Sequence, residues 1–234
     1  MLMRNEWNET MLMDLYELTM ANGYWAGGHS QDLVAFDVFF RKNPDNGGYA
    51  IFAGLEQVLA YLENLHFSDQ DIAYIRSLNL FPESFLSYLK DFSFKGDVYA
   101  FPEGSVIYPN EPIMTIVAPL IDAQIIETFV LTQINHQSLI ATKAARVVRA
   151  AKGRGVADFG ARRAHNVDAA VYGARAAYIG GVNSTATVLA GQAFGIPVSG
   201  TMAHSWVMYH DSEYEAFKAY AELYPDNVVL LVDT

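Results

Sequence analysis

Cysteine is missing from all 234 residues, which removes disulfides, thiol nucleophiles and thiolate metal sites together and fits a reducing compartment such as the cytoplasm. Long apolar runs are missing as well. No stretch reaches the roughly 18 residues of a membrane span, and residues 1–6, Met-Leu-Met-Arg-Asn-Glu, are not a charged leader ahead of a sustained apolar segment, so neither export nor a span is expected. Positive charge is scarce: 15 Lys and Arg stand against 26 Asp and Glu, a formal net charge of -11. That balance opposes non-specific binding to nucleic acid or anionic membranes, so any phosphate site must be a local cluster of arginines. His29, His66, His136, His165 and His210 fall at no zinc-ligand spacing and are given no role. No internal repeat or low-complexity segment occurs. What is abundant is apolar side chain, 52% of the residues against 18% charged, which predicts a globular chain with a sizeable interior or extensive subunit contact.

The pattern along the chain changes character midway. Residues 10–24 read as a helix with Leu12, Leu15, Tyr16 and Thr19 on one face, closed by Gly27-Gly28. Residues 33–40 read as a strand, 41–48 as a turn rich in Pro, Asn and Gly, and 49–53 as the returning strand of a hairpin with Arg41 and Lys42 near its tip. Three short helices follow at 54–65, 68–78 and 82–90, with Ser68 a cap and Pro82 in a first turn. Between 96 and 120, extended segments at 98–100, 105–108 and 113–117 indicate a small β subdomain.

Residues 122–151 then read as one long helix, and beyond it strands near 156–159, 180–183, 197–201 and 228–232 alternate with helices in βα units. Ser212 with Glu215 forms a capping box for the helix before the last strand. The domain boundary falls within the long helix, giving an α+β domain with a β-rich subdomain over 1–135 and an α/β domain over 136–234. The final strand is uninterruptedly apolar, as in strands buried on both faces, yet the chain stops two residues later. Four such units do not close an eight-stranded barrel, so the expectation is a shortened form of something longer.

Three strand ends carry the chemistry. Asp158-Phe159-Gly160-Ala161-Arg162-Arg163 follows the first, Gly200-Thr201-Met202-Ala203-His204-Ser205 the third, and Asp233-Thr234 the last. Ligands of α/β folds gather at the carboxyl ends of parallel strands, where helix starts favour anions. An aromatic with two arginines, a histidine flanked by hydroxyls and a carboxylate suit a phosphate-bearing substrate.

At these motifs, and at Asp14-Leu15-Tyr16-Glu17-Leu18-Thr19-Met20, Phe39-Phe40-Arg41-Lys42-Asn43-Pro44, Ala53-Gly54-Leu55, Glu103-Gly104 and Glu111-Pro112, the chain resembles the nicotinate phosphoribosyltransferases of pyridine nucleotide salvage. The resemblance implies an N-terminal β-rich domain, an irregular TIM-like α/β barrel present here in half, and active sites shared across a homodimer. It implies joining of nicotinate to 5-phosphoribosyl 1-diphosphate, coupled to ATP hydrolysis through a phosphohistidine, with Mg2+ carried by the substrate and no resident metal site. His204 matches the phosphorylated histidine, its competing role being a packed residue at a helix start. Imidazole suits the task because one ring nitrogen is nucleophilic near neutral pH while the other is held by a hydrogen bond.

Phe159 matches the aromatic that stacks on the pyridine ring, with core packing as the competing role. Tyr16 matches a tyrosine that the neighbouring subunit lays over the opposite face, or is a helix-face anchor. Arg162 is expected to bind substrate anions, Arg163 to be equally a structural residue, and Thr201 to contact nicotinate or to cap a helix. Arg41 matches an arginine that reaches phosphates in the other subunit's site, or is a solvated turn charge. Asp233 matches a carboxylate that holds ribose hydroxyls or a magnesium-bound water. The sister family using nicotinamide carries an aspartate between two threonines where Asn183-Ser184-Thr185-Ala186-Thr187 has Ala186; a carboxylate there would repel nicotinate, so Ala186 favours the acid. Two readings stand against this one: nicotinamide as substrate, and an inactive fragment that acts only in dimerisation.

Overall fold

A computed structural model describes residues 7–234, and the reading of residues 1–6 as free of a leader lies outside them. In place of one helix from residue 10, a 3-10 turn at Glu9–Met11 is capped by Asn8, and helix α1 (Leu15–Ala26) starts afresh with the Glu17 carboxylate reaching back to the Asp14 N–H. Strand β1 (Leu33–Val38) follows, then β2 (Ala50–Ile51), α2 (Leu55–Asn64), α3 (Asp69–Ser77), α4 (Glu83–Lys90), β3 (Asp97–Ala100), β4 (Val106–Ile107) and β5 (Met114–Pro119). The three short helices fall where the sequence puts them, because each is bounded by a good stop. Ser68 accepts from Asp71 N while Asp71 accepts from Ser68 N, a reciprocal cap worth about 1 kcal/mol. Pro82 precedes its helix as the cap residue, one position outside the expected first turn.

The expected hairpin does not form. β1 pairs antiparallel with β5, which also pairs with β3, in a sheet of order β1-β5-β3, while β2 pairs with β4. The turn at residues 41–48 therefore joins two different sheets rather than two neighbouring strands. β5 buries Met114, Ile116 and Ala118 on one face, and these meet a core that contains Phe52, Phe85 and Phe129, with Tyr61 stacked on Phe129 at 3.8 Å between centroids. The β segments thus share one mixed interior with the helices.

The single long helix is also two. Helix α5 (Leu120–Ile125) is buried along its length between α1 and the sheet, and the chain turns at Ile126 before α6 (Glu127–Ala150). Glu17 holds the restart, accepting from both the N–H and the hydroxyl of Thr128. Along α6, Thr142 accepts from Ile51 N at 2.8 Å and Ser138 both accepts from Ala53 N and donates to Ala53 O at 3.1 Å, so helix hydroxyls satisfy the edge that β2 does not give to β4. Arg146 at the far end donates to Pro44 O in the turn before β2. Gly54, at φ +105, lets α2 start against α6, where a Cβ would stand 2.8 Å from the Gln133 carbonyl.

β6 (Ala157–Asp158), α7 (Val167–Ile179), β7 (Ser184–Thr185), α8 (Val188–Phe194), α9 (His204–Tyr209) and α10 (Glu213–Leu223) complete the chain. α7 lies on α6 through Ala141 and Ala144 against Ala176 and Ala177, and a Cβ on Gly180 would meet Ala141 O at 2.5 Å. β6 and β7 are parallel, and Thr185 bridges Val198 in the same sense. Residues 180–183, expected as a strand, form the cap and turn that follow α7, so the extended step comes at Ser184–Thr185 instead. Residues 228–232 join no ladder; Val229 is 53% and Val232 73% exposed, and without a paired neighbour an apolar run has no reason to be a strand. Ser212 accepts from Glu215 N at the start of α10, the forward half of the expected box. Among the described residues no helix is long and apolar enough to cross a membrane.

Asp122 in α5 is 3% exposed and accepts from the Lys95 N–H at 2.8 Å. Burial, which outweighs that bond, pushes its carboxyl up to about 6. A carboxyl raised on folding stabilises the fold fully below its unfolded value and loses that contribution as pH rises through 6. Stability should therefore fall by up to about 3 kcal/mol from this group between pH 4 and 7. Asp122→Asn should flatten the slope in urea titrations across that range; an unchanged slope would remove Asp122 as its cause.

Candidate active site

The carboxyl ends of three parallel segments lie side by side. Ala157 and Asp158 pair with Ser184 and Thr185, and Thr185 with Val198, so Phe159, Ala186 and the 199–204 segment leave adjacent strand ends in the same direction. Cross-links hold the ends level: Ala186 N donates to Asp158 O at 2.9 Å, Thr185 N to Pro197 O at 3.0 Å, and Ser199 N to Thr185 O at 3.1 Å. The Ser184 and Ser199 hydroxyls meet at 2.6 Å. Helix starts follow two of these ends, and their N–H groups favour anions.

Phe159 projects from β6 with 47% of its surface exposed. Arg162 and Arg163, both exposed, sit in the 3-10 turn Ala161–Arg163 that follows, and Asn166 caps α7 by accepting from Ala169 N. Thr201 gives its hydroxyl proton to Met202 O at 2.8 Å and does not cap α9, whose cap residue is Ala203. His204 is the first residue of α9, and its Nε2 lies 3.1 Å from Asp233 Oδ1, with side chains 50% and 74% exposed. Leu231 N donates to Met202 Sδ at 3.3 Å, so residues 231–233 run beside the third strand end and bring Asp233 to His204 without a ladder.

Tyr16 and Arg41 stand elsewhere. Tyr16 lies on α1, half-exposed and hydrogen-bonded to Glu127 at the start of α6; partial burial, that bond and the charges of Glu127, Glu17 and Asp14 push its hydroxyl up to about 12. Arg41 is exposed beyond β1. Both belong to the part of the chain built on the β1-β5-β3 sheet, and within one chain they are not on the three strand ends.

Sequence reasoning gave Arg175 no role. It lies on α7 with 9% of its side chain exposed and grips Glu103 through two parallel bonds of 2.9 and 2.6 Å, reaching Glu56 and the Gln137 side-chain Oε1 as well. Glu103 in turn accepts from Gly54 N and Leu55 N at the start of α2. Burial alone would raise the Glu103 carboxyl, but the Arg175 guanidinium and the two N–H groups outweigh it and hold it below the usual range. Phe194 covers the guanidinium at 5.7 Å. The group fastens α7, and with it the turn that bears Phe159 and Arg162, to α2 and α6. A cation alone in the Ala-rich stretch 174–177 was the available signal.

A family profile described as the nicotinate phosphoribosyltransferase N-terminal domain matches residues 11–135, and one for the nicotinate phosphoribosyltransferase family matches residues 155–225. A nicotinate phosphoribosyltransferase of Mycobacterium tuberculosis is 53% identical over 224 residues, 96% of this chain and 48% of that protein. The crystal structure of human nicotinic acid phosphoribosyltransferase superposes with a TM-score of 0.79 at 36% identity, covering 85% of this chain and 41% of that one. A structure named nicotinate-nucleotide pyrophosphorylase from Pyrococcus furiosus covers 100% of this chain and 53% of its own, with TM-score 0.81 and 28% identity. The chain spans about half the length of the curated relatives it matches.

Proposed function

The chain belongs to the nicotinate phosphoribosyltransferase family, and from that premise we propose that the protein transfers the phosphoribosyl group of 5-phosphoribosyl 1-diphosphate to nicotinate. The pyridine nitrogen bonds to the anomeric carbon as the bond to diphosphate breaks, giving nicotinate mononucleotide and diphosphate. The observation that carries this reading is that Phe159 and Ala186 leave two adjacent parallel strands at the same end, with the Thr201–His204 segment following a parallel bridge at Val198 beside them. In this reading those segments begin a TIM-like barrel, and the binding site lies over their carboxyl ends.

Phe159 stacks on the pyridine ring, a contact worth about 0.5–1.5 kcal/mol beyond burial, and fixes the nitrogen relative to the anomeric carbon. Arg162 pairs with the substrate anions and Thr201 offers its hydroxyl oxygen to nicotinate. Tyr16 and Arg41, both accessible on the sheet-built part, reach the site of a second copy in a homodimer, over the ring and at the phosphates. Asp233 accepts the Nε2 proton of His204, which leaves Nδ1 with its lone pair as the acceptor of the ATP γ-phosphoryl group; ADP leaves, and water later releases phosphate. Magnesium arrives on the diphosphate and asks for one or two carboxylates; Asp233, three-quarters exposed and with one oxygen on His204, suits that demand.

The test is formation of nicotinate mononucleotide and diphosphate by the full-length protein from nicotinate and phosphoribosyl diphosphate, with and without ATP. A higher kcat/KM for nicotinamide would overturn the assignment of substrate. Ala186→Asp should lower the nicotinate-to-nicotinamide ratio of kcat/KM by about 100-fold, because a carboxylate facing a carboxylate costs a few kcal/mol and each 1.4 kcal/mol is about tenfold. An unchanged ratio would take Ala186 out of the ring pocket.

A further inference from the structure

The Phe159 ring, nearly half exposed, packs into none of the buried clusters, so its direction is set by its backbone rather than by neighbours around it. That backbone has little ladder to rely on, since β6 and β7 share two residue pairs. Side chains supply the rest. Asp158 Oδ1 accepts from Gly160 N at 2.9 Å and so closes the turn around Phe159. Thr185 Oγ1 accepts from Thr187 N at 3.0 Å and closes the equivalent turn around Ala186. The two turns are braced against each other, because Thr185 Oγ1 donates to Asp158 Oδ2 at 2.9 Å. Thr185 is fully buried and its backbone is bonded to Pro197 and Ser199, which anchors the brace to the third segment. Gly160 leaves it room: a Cβ there would stand 3.0 Å from Asp158 Oδ1.

We propose that Asp158 and Thr185 are positioning residues that jointly set Phe159 and Ala186, and so govern nicotinate affinity without touching the substrate. The inference rests on the reading of Phe159 as the platform for the pyridine ring. Both oxygens of Asp158 are engaged inside the protein, and its work is geometric. An amide does most of this work, accepting from Gly160 N through Oδ1 and donating to Thr185 Oγ1 through Nδ2 at the cost of the acceptor for the Thr185 hydroxyl proton, whereas a methyl group does neither. A misdirected platform forfeits stacking and burial of the ring, on the order of tenfold in affinity, which sets the scale.

In the full-length enzyme, Asp158→Ala and Thr185→Val should each raise the nicotinate KM at least about tenfold while the phosphoribosyl diphosphate KM and kcat at saturating nicotinate move less than about threefold. Thr185→Ser, which retains the brace, should stay within about twofold on all three, and Asp158→Asn, which keeps the bond to Gly160 N and reverses the one to Thr185, should fall between the parent and Asp158→Ala in nicotinate KM with kcat retained. On a Phe159→Ala background, Asp158→Ala should cost clearly less than it does alone, the remainder being the part that acts through Ala186. A collapse of kcat in Asp158→Asn would show that the charge itself is used and overturn the proposal. Additive effects of Asp158→Ala and Phe159→Ala would do the same, as would equal losses for both substrates in proportion to lowered melting temperature. Should Asp158→Ala not fold, Thr185→Val, which keeps volume and loses only the hydroxyl, decides alone. A nicotinate KM untouched by Phe159→Ala would instead bring down the platform reading itself.

Discussion

Arg175→Met should destabilise the full-length protein by about 3–5 kcal/mol, the usual consequence of removing one partner from a buried ion pair, and lower its melting temperature by about 3–5 °C. The reason is what the substitution leaves behind. Glu103, with 19% of its side chain exposed, would keep its two N–H donors at the start of α2 and lose the bidentate cation that holds its carboxyl low. A carboxyl depressed on folding stabilises above its unfolded value and loses that contribution as pH falls through its folded value. The gap between Arg175→Met and the unmodified protein should therefore narrow in acid. Combining Arg175→Met with Glu103→Gln should restore part of the loss, since the amide still accepts from Gly54 and Leu55 without an unpaired charge. Urea unfolding of the single variant within about 1 kcal/mol of the parent would refute a structural role for the group.

His204→Ala should abolish phosphorylation of the full-length protein by labelled ATP, the label being acid-labile and base-stable in the parent. The half-exposed ring at the start of α9, with Asp233 on one nitrogen, leaves the other open to a phosphoryl donor. Because the proposed coupling tightens substrate binding rather than making the glycosidic bond, ATP-independent turnover should persist in the variant while stimulation by ATP disappears. Asp233→Asn should retain labelling at a reduced rate, since an amide oxygen still accepts the ring proton but stabilises the cationic ring less. Full labelling of His204→Ala would move the acceptor to another residue. Loss of all turnover at saturating substrates would give His204 a direct part in the transfer.

The elements that sequence alone locates are those whose boundaries are local. Ser68 and Asp71 mark the start of α3 through bonds that span three residues, and the end of β6 at Phe159 stands beside an apolar step, whereas the strand expected at 197–201 reduces to one bridge at Val198. Pairing is a different matter. β1 finds β5 across the chain, with Leu33 opposite Pro119, and the turn-forming residues 41–48 say only that the chain bends there. The break at Ile126 carries neither Gly nor Pro; it follows from the burial of α5 against α1 and from Glu17 capping the restart, contacts that no local pattern contains. The brace between Asp158 and Thr185 needs the register of β6 on β7. Arg175 needs the fold to bring Glu103 from 72 positions away.

Helix α6 touches nearly everything described above. Its first residues hold Tyr16 and Glu17, its middle meets Gly54, Arg175, Ala53 and Ile51, and its end grips the turn at Pro44. Each residue of an α-helix is turned about 100° from the last. A single inserted or deleted residue between Thr128 and Ser138 would therefore swing one set of partners off its target while leaving the other in place, and no compensating change at one end could restore both. Over descent from a common ancestor this stretch should accept exchanges of side chain yet keep its length, with gains and losses of residues confined to loops elsewhere in the chain.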